Sequence, residues 1–273
     1  MILVDGLSQD TVSIQDRSVQ YGDGVFETIA VREGVPMAWD LHLRRLYAAC
    51  TALDLNQPDE AVLMEDLRRV CADQEKVVVK IILTRGEGGR GYSPAPGSNN
   101  RRIVAAYAWP DYPADYSDKG IVAGISEIRL GHNPVLAGIK HLNRLEQVLI
   151  ARELADNELV EAIVLDIDDA VTEGSKSNIF LVKNEVLYTP RLDMAGVNGV
   201  IREAILQKAA EEKMEMRVEK LDLDDLFRAD EVFFCNSVAG IWPVRLVDEK
   251  EYSVGPFSIF IRNSLVANNI ICQ

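Results

Sequence analysis

The chain has 273 residues, enough for two domains or one large one at roughly 150 residues per domain. Hydrophobic residues make up 48% and charged residues 26%, values of an ordinary folded protein, which excludes disordered, collagen-like and coiled-coil architectures. With 29 Lys+Arg against 43 Asp+Glu the net charge is −14, so nucleic acid is not an expected partner and any anion must be held at a local site.

Short β-like runs at 2–4 and 25–31 precede a helical stretch over 40–53, capped by Asp40 and burying Leu41, Leu46, Ala49 and Leu53. A second helix is expected over 60–74. The block VVVKIILT, 77–84, has apolar residues on both faces and reads as a buried strand. A glycine-rich run, RGEGGRGYSPAPGSNN at 85–100, separates it from another strand at 103–109; long irregular loops in compact domains are usually functional or mobile. The polar, proline-bearing WPDYPADYSD, 109–118, fits an interdomain connection. Beyond it, strands at 121–125, 161–165, 178–182, 185–188 and 231–234 alternate with helices at 143–157 and 199–213. The expected class is therefore α/β or α+β. The division is a small N-terminal α/β domain over 1–110, a linker over 111–118 and a larger mixed-sheet domain over 119–273.

The opening MILVDG lacks the basic start and apolar run of a signal peptide, and no stretch approaches the roughly 18 apolar residues of a membrane span. A cytoplasmic location with no membrane partner is the expectation. Cys50, Cys71, Cys235 and Cys272 form no C-x-x-C pair, and with His42, His132 and His141 as the sole histidines no metal site is expected.

Lys140 has the most suggestive context of the lysines. An apolar, strand-like approach, 135–139 with Gly138, delivers it just before an amphipathic helix, and a partly desolvated amine there would be a nucleophile for a carbonyl. A solvated lysine at a strand end is the competing reading. Six segments in order resolve the context: YGDGVFET (21–28), HLRRL (42–46), AGIKHLNRLEQ (137–147), TEGSKSNIF (172–180), PRLDMAGVNGVIR (190–202) and NSVAGIWPV (236–244). Together they resemble the successive motifs of the fold-type IV pyridoxal phosphate enzymes, from residue 15 to 244. That family holds branched-chain aminotransferases, D-amino-acid aminotransferases and aminodeoxychorismate lyases. RLGHNPVLAGIKHLNRLEQVL and TRGEGGRGYS most resemble the lyases.

The resemblance implies pyridoxal 5'-phosphate as cofactor and a homodimer. It makes Lys140 the lysine that joins the cofactor aldehyde and then moves protons, and Glu173 the acid that keeps the pyridine nitrogen protonated. Arg45, the backbone of Val200 and Ile201 at a helix start, and Ser237 with the Val238 amide would bind the phosphate, with Asn178 nearby. Tyr21, Glu27, Arg90 and Tyr92 would face the substrate. Where the aminotransferases carry a tyrosine beyond the lysine this chain has Arg144, which leans toward a lyase acting on 4-amino-4-deoxychorismate. An aminotransferase for D-amino or branched-chain amino acids is the alternative, and a non-catalytic binder of the cofactor or an anion a remote one.

Overall fold

The run expected as a strand at 25–31 spans Gly24–Arg32 (β3) and buries Val25, Glu27 and Ile29 at alternating positions. A computed structural model of the chain describes residues 1–272 other than Asp73, Pro96 and Ser98. The described residues fall into two compact units, one of Met1–Pro110 with Lys140–Asn143 and Cys272, the other of Asp111–Ile139 with Arg144–Ile271.

In the first unit, β3 joins Ile2–Val4 (β1), Leu7–Ser8 (β2), Val35–Pro36 (β4), Lys76–Thr84 (β5) and Arg101–Ala108 (β6). They form an antiparallel sheet in the order β2-β1-β6-β5-β3-β4. Glu33 and Gly34 turn β3 into β4 with both φ positive, 52° and 76°, the two-residue loop whose twist matches that of the strands. β5 alternates instead of burying both faces: Val77, Val79, Ile81 and Leu83 are buried while Val78, Lys80 and Ile82 are half-buried.

Three helices complete the unit: Arg17–Tyr21 (α1), Trp39–Ala52 (α2) and Glu60–Cys71 (α3). Ala38, not Asp40, occupies the cap of α2; Asp40 lies in the first turn, where its charge complements the helix dipole. The buried stripe is His42, Leu46, Ala49 and Cys50, and Leu41 and Leu53 are only half-buried. The stripe is rotated from the apolar expectation because His42 finds an acid partner inside the unit, described below. α3 starts at Asp59, whose carboxylate accepts from the Ala61 N–H at 2.7 Å. It ends at Cys71; Asp73, within the expected 60–74, lies outside the described residues, as do Pro96 and Ser98 of the glycine-rich run.

The second unit contains Tyr116–Lys119 (α4), Ile121–Ile125 (β7), Leu145–Asp156 (α5), Ala162–Leu165 (β8), Val171–Gly174 (β9), Asn178–Lys183 (β10) and Val186–Pro190 (β11). Then follow Val200–Glu211 (α6), Met216–Glu219 (β12), Leu223–Phe227 (α7), Glu231–Asn236 (β13), Gly240–Val247 (β14), Lys250–Glu251 (β15) and Pro256–Ala267 (α8). The mixed sheet runs β12-β11-β10-β13-β14-β7-β8-β9, with β15 on β14. Phe180 and Phe233, on neighbouring strands, stack with ring centroids 5.2 Å apart in the core. β14 and α8 are absent from the sequence expectations because Pro243 sits inside the strand and Gly255-Pro256 opens the helix, residues that read as breakers. Glu231 holds the α8 start, accepting from the Phe257 and Ser258 N–H groups at 3.1 Å each.

Two local expectations change. Residues 135–139 are not a strand, and Val135 is 81% exposed. The run Lys140–Asn143, expected with the C-terminal part, sorts with the first unit. Its backbone extends the pairing of β3: Phe26 N–H donates to Lys140 O and Leu142 N–H to Gly24 O, each at 3.0 Å. Among the described residues no helix is long and apolar enough to cross a membrane.

Candidate active site

Each unit assembles its own part of the expected site. In the first, β3 presents Glu27 to α2, where His42 and Arg45 stand three residues apart on one face. The Glu27 side chain is 2% exposed and has both oxygens engaged. Arg45 donates from Nε to Oε1 at 2.8 Å and from Nη2 to Oε2 at 2.6 Å, and His42 Nδ1 bonds Oε2 at 2.6 Å. Burial would raise the Glu27 carboxyl, but the Arg45 charge and the bonds from Arg45 and His42 outweigh it and hold it at about 2. Burial pushes the His42 imidazole below its ordinary value, so the neutral ring gives its Nδ1 proton to Glu27. Its Nε2 is buried with no hydrogen-bond partner in the structure.

Glu27, expected on the substrate side, is thus occupied inside the unit, because an inward position on β3 can keep an acid only by pairing it. Phe26, next to it, bonds the backbone of Lys140 and lies under that residue's ammonium, 4.3 Å from Nζ to the ring centroid. One backbone step along β3 therefore separates the residue that seats the lysine from the residue that holds the arginine.

Tyr21 and Tyr92 lie together at α1. Their rings are 5.5 Å apart, and the Arg17 guanidinium stands 4.9 Å from the Tyr21 ring. Arg17 also donates to the carbonyls of Gly91 at 3.0 Å and Tyr92 at 2.8 Å, which ties the glycine-rich run to α1. Tyr92 is 87% exposed and Arg90 is exposed. Arg85 is bonded to Asp23 and to the Leu53 and Asp54 carbonyls, a structural anchor of the same run.

In the second unit, Glu173 on β9 is buried and its Oε2 accepts the Val197 N–H at 2.8 Å. Asn178, first residue of β10, donates Nδ2 to the Val197 carbonyl at 2.8 Å. The loop before α6 is therefore fixed on both sides of Val197. Gly196 and Gly199 permit that approach: a Cβ on Gly196 would come 3.2 Å from Glu173 Oε2, and one on Gly199 would sit 1.9 Å from Asn178 Oδ1.

Gly199 caps α6 with no side-chain bond, and the first turn, Val200 and Ile201, is buried. Their N–H groups meet no acceptor among the described residues, so the helix start is a ready anion cradle. Ser237 and Val238 lie in the turn between β13 and β14, where the Val238 N–H donates to Asn236 Oδ1 at 2.9 Å. Arg144, at the start of α5, donates to the Ile139 carbonyl at 2.6 Å.

Sequence reasoning missed His42 and Val197 as parts of these clusters, and with them Arg202, which donates to Asn198 Oδ1 and Pro190 O at 2.9 Å each. Val197 acts through its backbone, which has no side-chain signature. Arg202 stands inside the quoted PRLDMAGVNGVIR segment, where an arginine after a helix start is easily read as surface.

In the first unit the Lys140 ammonium is seated on the Phe26 ring; in the second the Glu173 carboxylate is fixed by its loop and the α6 start has no side-chain cap. Residues 24–247 match the family described as Amino-transferase class IV, and the chain belongs to that family. It is 37% identical over 254 residues to the aminodeoxychorismate lyase of Vibrio harveyi, covering 93% of this chain and 94% of that one. It is 32% identical to the D-alanine aminotransferase of Bacillus licheniformis, covering 97% and 94%. The structure superposes with a TM-score of 0.94 on the crystal structure of 4-amino-4-deoxychorismate lyase from Pseudomonas aeruginosa, at 39% identity over 99% of this chain and 100% of that chain.

Proposed function

We propose that this chain is a pyridoxal 5'-phosphate-dependent lyase that converts 4-amino-4-deoxychorismate to 4-aminobenzoate and pyruvate, a step toward folate. The observation that carries the reading is the near end-to-end match to two lyases, 37% and 39% identical.

The residues present fit the cofactor. Buried N–H groups without acceptors suit its phosphate, the carboxylate of Glu173 suits its ring nitrogen, and the Lys140 amine suits its aldehyde. When bound, the cofactor supplies a carbonyl that takes up amines and a ring that withdraws electrons. Glu173 keeps a proton on the ring nitrogen; the Val197 N–H on Oε2 fixes the carboxylate that does so. On this reading Arg45, aligned by Glu27, and the α6 start would be the residues assigned to the phosphate end. Lys140 Nζ removes the proton from the substrate carbon bearing the amine. Loss of that proton and departure of the enolpyruvyl oxygen with its bonding electron pair from the adjacent carbon leave an aromatic ring, and the released enolate takes one proton on carbon to become pyruvate. The reading assigns the substrate side to Tyr21, Tyr92 and Arg90, with Arg90 suited to a carboxylate.

The reading includes a homodimer in the cytoplasm. α5 exposes Leu145, Val148 and Leu149 to 78%, 60% and 51%, an apolar stripe that a second copy would cover. All four cysteines are free thiols, the state a reducing compartment maintains. Pyruvate release with no amino acceptor present tests the reaction. Steady release from 4-amino-4-deoxychorismate is the expected result; faster amino exchange between D-alanine and a keto acid would replace the lyase with an aminotransferase.

A further inference from the structure

Two arginines are buried among the described residues, Arg17 and Arg202. Arg17 is paired with Asp23 at 2.8 Å. Arg202 forms no ion pair with any described residue. Its guanidinium donates to three neutral oxygens: Asn198 Oδ1 and Pro190 O at 2.9 Å each, and Thr189 Oγ1 at 3.3 Å. Glu203, the next residue, accepts instead from Gln207 at 2.8 Å. Burial disfavours this cation more than the charge of Glu203 and the nearby Cys235 favour it, and a cation bonded only to neutral oxygens is stabilised by a further negative charge.

The position of this cation says where the negative charge belongs. Arg202 is the third residue of α6, in the same turn as the buried Val200 and Ile201 whose N–H groups meet no acceptor. A full positive charge and the partial charge of the helix start therefore lie together. The three acceptors of Arg202 come from the end of β11 and the loop that follows, so the guanidinium also fixes the run that presents Val197 to Glu173.

We propose that Arg202 is the positioning residue and the buried counter-charge of the phosphate site at the α6 start, acting through the 189–199 run. The inference rests on the cofactor reading given above. The first unit makes it sharper: Arg45, the expected phosphate cation, is already matched there by the carboxylate of Glu27. Arg202 has no such match.

The test compares binding of pyridoxal 5'-phosphate with binding of pyridoxal, by equilibrium dialysis, together with the melting temperature of the apoprotein. The ratio of the two dissociation constants isolates the phosphate. Asn198→Asp would give Arg202 the acid it lacks, at the position of an existing 2.9 Å bond. This variant should melt at or above the wild-type temperature and yet lose about tenfold of the preference for the phosphorylated form. Arg202→Gln should lose a similar preference, while Arg202→Lys, which keeps the charge, should retain most of it. A merely structural arginine predicts the opposite for Asn198→Asp, a firmer loop with an unchanged or larger ratio, and that result overturns the proposal. If Arg202→Gln does not fold, Asn198→Asp alone decides. A wild-type protein with no preference for the phosphorylated form fails both this inference and the cofactor reading; a wild-type preference that survives in Asn198→Asp fails only this one.

Discussion

A carboxylate at an inward position of β3 survives because three bonds from two side chains reach it. The same bonds orient Arg45, so on the proposed cofactor reading stability and cofactor retention would be linked at this residue. Arg45→Ala would leave Glu27 buried with only His42 beside it. Removing one partner of a buried ion pair costs about 3–5 kcal/mol, and urea unfolding of the apoprotein should show a loss of that order. Cofactor retention should weaken too, by roughly 1.5–3 kcal/mol for a lost charged hydrogen bond. An apoprotein as stable as wild type would mean that the pair is not closed in solution.

At the scale of elements, α6 depends on its neighbours for a start that no side chain caps. Gly199→Ala places a Cβ 1.9 Å from Asn178 Oδ1, while the Asn178 amide is held by the Val197 carbonyl. The expected outcome is displacement of Asn178, a looser 196–199 loop and weaker binding of pyridoxal 5'-phosphate, read by dialysis; binding equal to wild type would show that the loop absorbs the methyl group. The apolar stripe of α5 gives a second test. Leu145→Glu combined with Val148→Glu puts two charges on the face assigned to a partner copy, and sedimentation should show monomers where the wild type shows dimers. A dimer that persists would place the interface elsewhere.

For the whole molecule the buried titratable groups define a pH window. Burial would raise Glu27 and Asp23, but their arginines hold Glu27 at about 2 and Asp23 below its ordinary 3.8. Their contribution is present above the unfolded values of 4.5 and 3.8 and is lost as pH falls through the folded ones. Burial lowers His42 below its ordinary value, so the unfolded chain gains this proton first as pH falls through 6.5 and stability starts to fall there. On the alkaline side burial raises Cys50 and Cys71 to about 11 and Cys235 to about 12, from 9.0. The unfolded thiols ionise first, so stability falls again above 9.0. A melting-temperature profile that is flat between about pH 6.5 and 9 and declines on both sides is the expected result; a maximum at pH 5 would contradict the neutral, buried His42.

Much of this was legible in one dimension. Alternation at 25–31, the helix at 199–213 and the order of six motifs are local properties, since strand and helix periods and short backbone signatures are written in consecutive residues. They were enough to state the family and its cofactor and to place a helix start at Gly199. Partners distant in sequence were not legible. That Glu27 faces His42 and Arg45, that Arg202 lacks an acid, and that Val197 serves Glu173 depend on which strand faces which helix. β14 and α8 escaped for the same reason, as their proline and glycine are compensated by contacts from elsewhere, such as Glu231 at the α8 start. Periodicity tells a residue which way to point; only packing tells it what it meets, and the energy of a buried charge is set by what it meets.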